Sequence, residues 1–181
     1  MNIRSYFILL TIVLFIGCEF EEGKNNLDYN PEQKLEELGI QLSTPSGPVA
    51  NYVNTVKTGN LVFISGKGPL KSDGNYVLGK LGENLTLEQG YEAARLTAIN
   101  LISTLKASIG DLSKVKRIVR VTGMVNATSD FTDHPKVVNG CSDLLVEVFG
   151  DNGKHTRAAV GMNSLPLNIA VEIDMVVEVL N

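Results

Sequence analysis

Two stretches of this chain carry apolar residues along one helical face and polar residues around the rest, and strand patterns lie on both sides of each. In the first, Leu87, Tyr91, Ala94, Ala98, Leu101 and Leu105 recur at spacings of four and three, which makes one apolar stripe. Thr86-Leu87-Glu88-Gln89 precedes it with a hydroxyl at the N-cap and Gln three residues on, and Gly110 closes it. In the second, Pro135 opens the helix, Val137, Cys141, Leu144, Leu145 and Val148 form its stripe, and Gly150 ends it. A helix with one apolar stripe needs one apolar surface to lie on. Two such helices among strands therefore imply one sheet with both helices packed on the same face. The other sheet face stays open, and a symmetric oligomer is the economical way to bury it.

The strands are read from alternation and β-branched content. They fall at 52–56, 61–65, 115–126, 156–162 and 169–180. Gly59-Asn60 joins the first two as a hairpin. Residues 31–38 read as a short helix closed by Gly39, and residues 40–50, punctuated by Pro45, Gly47 and Pro48, as a loop or edge segment. Residues 67–85 hold four glycines and Pro69, so they form a long loop with room for a short strand at 76–78. The order is ββαβαββ, an α+β domain of 31–181 built on one mixed sheet.

The front end does not belong to that domain. Arg4 is followed by an almost continuous apolar run over residues 6–16, then Gly17 and Cys18. A basic start, a short apolar run and a small residue before the cut describe a secretory signal peptide over 1–17. The run is short for a bilayer span, which needs about 20 residues. Leu14-Phe15-Ile16-Gly17-Cys18 resembles a bacterial lipobox, with Phe15 at the position usually taken by Leu. That resemblance implies lipidation of Cys18, export, and anchoring on the periplasmic or outer side of a membrane. A plain signal peptide with an incidental cysteine, or an uncleaved anchor, reads the same residues differently. Residues 18–30 hold Glu19, Glu21, Glu22 and Asp28 against Lys24 and have little to bury, so they read as an acidic tether.

Charge and motif content exclude several function classes. With 16 Lys+Arg against 20 Asp+Glu, the formal net charge is −4, which argues against a protein that coats nucleic acid. Lys114, Lys116, Arg117 and Arg120 form the one local basic cluster. The two histidines, His134 and His155, and two cysteines, Cys18 and Cys141, make no metal-ligand spacing. Cys141 lies on a helix's apolar stripe, which favours packing over reactivity. His134, before Pro135, reads as a helix cap, and His155 as exposed. No Gly-rich phosphate loop and no GxSxG elbow occurs.

What goes further is a resemblance. Ala50-Asn51-Tyr52-Val53-Asn54, then Val62-Phe63-Ile64-Ser65-Gly66-Lys67-Gly68-Pro69, then Thr156-Arg157-Ala158-Ala159-Val160 with Leu165-Pro166 and Val171-Glu172-Ile173 resemble the RidA/YjgF family of imine and enamine deaminases. The likeness runs in order from about residue 35 to 181. It implies a chorismate mutase-like fold of the bacillus type and a homotrimer whose sheets line a central barrel, with clefts between subunits. It implies hydrolysis of small reactive 2-imino or enamino acids to 2-keto acids and ammonia, without a cofactor or metal.

By the same resemblance Arg157 holds the substrate carboxylate, a task for which a guanidinium fork is suited and an ammonium is not. Glu172 positions the attacking water and relays a proton to the leaving amine. Tyr52, Asn139 and the backbone of Ser65 and Gly66 line the cleft. Ala159 stands where many members have a cysteine whose backbone contacts substrate. Residues 133–136 look like a small insertion, and the 67–85 loop is long; both bear on substrate identity. A second reading of the same trimer is a non-catalytic binding protein for small carboxylates, because imines arise from cytoplasmic enzymes and this chain looks exported.

Overall fold

The computed structural model describes residues 29–47 and 50–180. The leader, Cys18 and most of the acidic tether lie outside them.

Local signals place the helices. Asn30 caps α1 (Pro31–Glu37), its side chain accepting from the N–H groups of Glu32 and Gln33. The box before α2 (Leu87–Ile109) is closed in both directions: Thr86 Oγ1 accepts from the Gln89 N–H, and the Gln89 side chain accepts from the Thr86 N–H. Gly110 ends α2 at φ 81, a conformation that suits a residue without Cβ. Of the expected stripe, Ala94, Ala98, Leu101 and Leu105 are fully buried. Tyr91 sits at its margin and donates its hydroxyl to Asp143. Thr86→Ala is expected to lower the unfolding free energy by about 1 kcal/mol. In a thermal melt that is a drop of roughly 3 °C for a domain of this size.

The five strands are β1 (Thr55–Thr58), β2 (Leu61–Lys67), β3 (Val115–Asn126), β4 (Thr156–Met162) and β5 (Val171–Val179), in the sheet order β1-β2-β5-β3-β4. β3 and β4 are the one parallel pair, and α3 (His134–Phe149) makes the crossover between them that a parallel pair requires. The last strand, β5, slots between β2 and β3, antiparallel to both. Its residues alternate: Val171, Ile173, Met175, Val177 and Val179 are buried toward the helices, while Glu172, Asp174, Val176 and Glu178 face the other way. Burying each such apolar side chain contributes about 1.5–3 kcal/mol.

Helices α2 and α3 cover one face of the sheet, as two one-sided stripes demand. Among the described residues nothing covers the opposite face, which is partly apolar. Val56, Phe63 and Val176 pair across β1, β2 and β5, with Val56 54% and Phe63 45% exposed. Val160 and Met162 of β4 are exposed as well.

Several element limits differ from the sequence reading. β1 starts at Thr55, not at residue 52, because the Tyr52 N–H bonds to the Ala50 carbonyl in a bend and the Asn54 side chain is tied to the Ser46 carbonyl. β5 starts at Val171, not at residue 169, because Leu167 and Asn168 turn at positive φ just before it. Residues 76–78 make single bridges, Tyr76 to Leu70 and Leu78 to Ile169, and no strand.

Candidate active site

Arg157 stands on β4, at the sheet edge. Its register partner Val121 is buried toward the helices, so the arginine leaves the sheet on the helix side and meets α3. There Nη1 donates to Asn139 Oδ1 at 2.9 Å and to Ser142 Oγ at 2.9 Å. Nη2 reaches the Pro135 carbonyl at 3.5 Å. Residues 135, 139 and 142 are spaced four and three, so one face of α3 presents all three acceptors. Both Nη1 hydrogens are thereby used. Among the described residues the Nε–H and one Nη2–H have no partner on this exposed side chain, and together they are the donor pair that a carboxylate takes side-on. Ala159 follows two residues on, facing the same way.

Glu172 stands on β5 and on the opposite, open face; its partner across the ladder is Met124. Its carboxylate lies against the backbone of β2 at Gly66, where a Cβ would collide with Oε1. Ser65 and Gly66 form a bulge there: the pairing with β5 shifts between Ile64 and Lys67. The Asn54 carbonyl accepts from both the Ser65 N–H and its hydroxyl. Tyr52, 45% exposed, lies two residues before Asn54. Half-burial of Glu172, and secondly the like charge of Asp174, push its carboxyl above the usual carboxylate range.

That shift has a stability consequence. The folded chain binds the Glu172 proton more tightly than the unfolded chain does. Stability therefore falls as pH rises from the ordinary carboxylate value toward the raised one. Glu172→Gln removes this fall. Paired thermal melts should find the variant at least as stable as wild type at neutral pH, with the advantage gone below the carboxylate range.

The expected site residues thus form two groups. Arg157, Asn139 and Ala159 lie together at the β4–α3 edge; Glu172, Ser65 and Gly66 lie together at β5–β2, with Tyr52 nearby. β4 and β5 are two strand spacings apart, about 10 Å, and the two groups project from opposite faces. Within one chain they do not meet on one small ligand.

Other expectations change. His155 is not exposed but half-buried, its Nδ1 2.6 Å from the Gly153 carbonyl and its Nε2 3.0 Å from Ser142 Oγ. His134 is not the cap of α3: Asp133 occupies that position, and His134, the first helical residue, packs over Gly161 and edge-on to Phe131. Cys141 is buried, and desolvation pushes its thiol up to about 12, which fits packing. Ser142 escaped the sequence reading; its place three residues after Asn139 on one helix face was the available signal. Lys67, whose ammonium donates to Asn54 Oδ1 at 2.6 Å, is pushed below the usual lysine range by burial. It lines a cavity of about 40 Å³ with Ser43, Asn100 and Ser103. That volume holds a few waters and is too small for an imino acid. Among the described residues no three His, Cys, Asp or Glu side chains converge as metal ligands do.

A mixed five-stranded sheet with helices on one face, a bulged Ser-Gly strand under a glutamate and an edge-strand arginine define a small α+β protein of the chorismate mutase-like class. The chain belongs to the family described as "YjgF/chorismate_mutase-like, putative endoribonuclease", whose profile matches residues 32–179. It is 42% identical over 148 residues to protein TCP17 of Trypanosoma cruzi, covering 81% of this chain and 92% of that one. Among solved structures, the protein Atu1372 of unknown function from Agrobacterium tumefaciens is 41% identical with a TM-score of 0.77, covering 82% of this chain and 92% of its own. A "putative endoribonuclease" of Shewanella oneidensis MR-1 is 34% identical with a TM-score of 0.80, covering 83% and 99%.

Proposed function

We propose that this chain hydrolyses small 2-imino or enamino acids to 2-keto acids and ammonia, in clefts formed between copies of the chain in a homotrimer. The observation that carries the reading is Arg157, an edge-strand guanidinium clasped by α3 with its second donor edge left for a carboxylate. The opposite-face placement of Glu172 supports shared clefts: a second copy is needed to bring a Glu172 beside an Arg157. The exposed Val56, Phe63 and Val160 on the open sheet face are the surface such a trimer would bury. In the cleft Arg157 fixes the carboxylate. Glu172, its proton affinity raised by half-burial, holds a water against the imine carbon and takes up its proton. The water oxygen bonds to carbon, the nitrogen receives the proton, and the carbinolamine collapses to ketone and ammonia.

The test generates 2-iminobutanoate from threonine with a dehydratase and follows 2-ketobutyrate release with and without this protein. Acceleration supports the reading. Thermal stabilisation by 2-ketobutyrate without acceleration favours a carboxylate-binding protein instead. RNA cleavage that disappears in Arg157→Ala would point to the nuclease suggested by the family's description. Against that, Lys116 of the basic cluster is paired with Glu178 and the net charge is −4. Sizing in solution checks the trimer. Export and lipidation at Cys18 belong to the same proposal, checked by acyl labelling that Cys18→Ser abolishes.

A further inference from the structure

The hydrogen bonds around Arg157 continue past its two acceptors. Ser142 Oγ, which accepts from Nη1, is 3.0 Å from His155 Nε2, and His155 Nδ1 is 2.6 Å from the Gly153 carbonyl. Elementary bookkeeping gives this chain one direction. A carbonyl only accepts, so the ring proton of neutral His155 sits on Nδ1 and Nε2 is bare. The single hydroxyl hydrogen of Ser142 then goes to Nε2, which turns the oxygen's lone pairs toward Arg157. Donation runs from Arg157 to Ser142 to His155 and ends on the Gly153 carbonyl, which accepts.

We infer that Ser142 and His155 are positioning residues for Arg157: they hold its Nη1 side against α3, so that the Nε–Nη2 edge faces the cleft as a preorganised carboxylate fork. The inference rests on the proposed carboxylate-binding role of Arg157 and deepens it. Asn139 alone would leave one Nη1 hydrogen free and the guanidinium able to rotate about its last torsions. A second acceptor, itself locked by a half-buried ring, removes that freedom before substrate arrives. Gly153 closes the turn that presents its carbonyl, and it lies so tightly against the Leu145 carbonyl that a Cβ would overlap it.

The surroundings keep His155 in the form the chain needs. Burial first, and the Arg157 charge as well, push its protonation below the usual histidine range, against the opposing Gly153 bond. Other charges nearby in sequence are occupied elsewhere: Lys154 pairs with Asp151, and Asp143 of α3 accepts from Tyr91. At neutral pH the ring is an acceptor toward Ser142, not a second cation beside Arg157.

A positioning role has a kinetic signature. The substrate carboxylate is held alike in ground and transition states, so loosening the fork raises KM more than it lowers kcat. Ser142→Ala is expected to raise KM for 2-iminobutanoate roughly tenfold with kcat within about threefold, and Ser142→Thr, which restores a hydroxyl, to recover most of it. His155→Phe keeps the ring's bulk and is expected to raise KM by a smaller factor. Because both act through one chain, the double variant should be no worse than Ser142→Ala alone. Nitrogen NMR of the wild type should find His155 protonated on Nδ1 and bare on Nε2 at neutral pH. Thermal melts establish that each variant is folded, and calorimetry with 2-ketobutyrate reads carboxylate binding apart from turnover. If the wild type neither turns over the imine nor binds 2-ketobutyrate, the functional reading falls and this inference with it. If the wild type does either and the folded Ser142→Ala matches it in KM and affinity, or if His155 carries its proton on Nε2, this inference alone is overturned.

Discussion

Arg157→Ala is expected to cut kcat/KM for 2-iminobutanoate roughly a hundredfold, the loss that follows from removing a charged hydrogen-bonding partner. The melting temperature should barely move. Arg157 is exposed on an edge strand and fills no core volume, so its loss leaves Asn139 and Ser142 to find water. Arg157→Lys is the sharper companion. An ammonium keeps the charge but supplies no parallel pair of donors, and it reaches Asn139 and the ligand only in turn. It should recover a minor part of the activity. If both variants hydrolyse the imine at the wild-type rate, Arg157 is not the carboxylate anchor and the proposed chemistry needs another cation.

The largest effect on stability is expected at a residue remote from any ligand. Gly140 lies where α3 crosses α2, and a Cβ there would overlap the Tyr91 carbonyl oxygen and stand 3.0 Å from the Arg95 backbone nitrogen. Both obstacles are main chain inside a helix, so no side chain turns aside to relieve them. Gly140→Ala must push the two helices apart at a crossing where Val137 also packs beside Gly90 of α2. The cost is about 3 kcal/mol, the upper part of the usual range for overpacking. In a thermal melt this is a drop of roughly 6–12 °C. Alanine is the better helix former by about 1 kcal/mol, so propensity alone forecasts the opposite sign. A stabilised variant would show that the crossing is looser than the backbone contacts imply.

Much of the fold was legible because its signals are local. The capping residues of α2, the stripe from Ala94 to Leu105, the Pro135 opening of α3 and the alternation of β5 each depend on neighbours within a few turns or one strand. Boundaries failed where a distant tether intervened. Nothing near Tyr52 announces that Asn54 will be tied to the Ser46 carbonyl, or that the ladder will begin only at Thr55. The histidines failed for the same kind of reason. His155 looked exposed because a polar residue before a strand usually is. The 3-10 turn ending at Gly153 and the helix face of Ser142 converge on it from elsewhere in the chain.

The site was legible as a set of residue types and not as an arrangement. Arg157, Asn139 and Ala159, and separately Glu172, Ser65 and Gly66, were named as candidates by the family resemblance. That they form two groups on opposite faces follows from the sheet order β1-β2-β5-β3-β4, which puts the last strand in the middle and sends β4 to the edge. By itself the sequence determined the apolar stripes of the two long helices, the alternation of the last strand and the signals that start and end α2, while the candidate carboxylate-site residues came from the family resemblance. The stripes, the alternation and the end signals follow from periodicity and capping, both short-range along the chain. Only the tertiary structure decided that Arg157 is clasped by α3, that Ser142 and His155 stand behind it, and that Glu172 looks out of the other face. Such relations join residues more than a dozen positions apart, and the pairing of strands, not the order of amino acids, sets which of them touch.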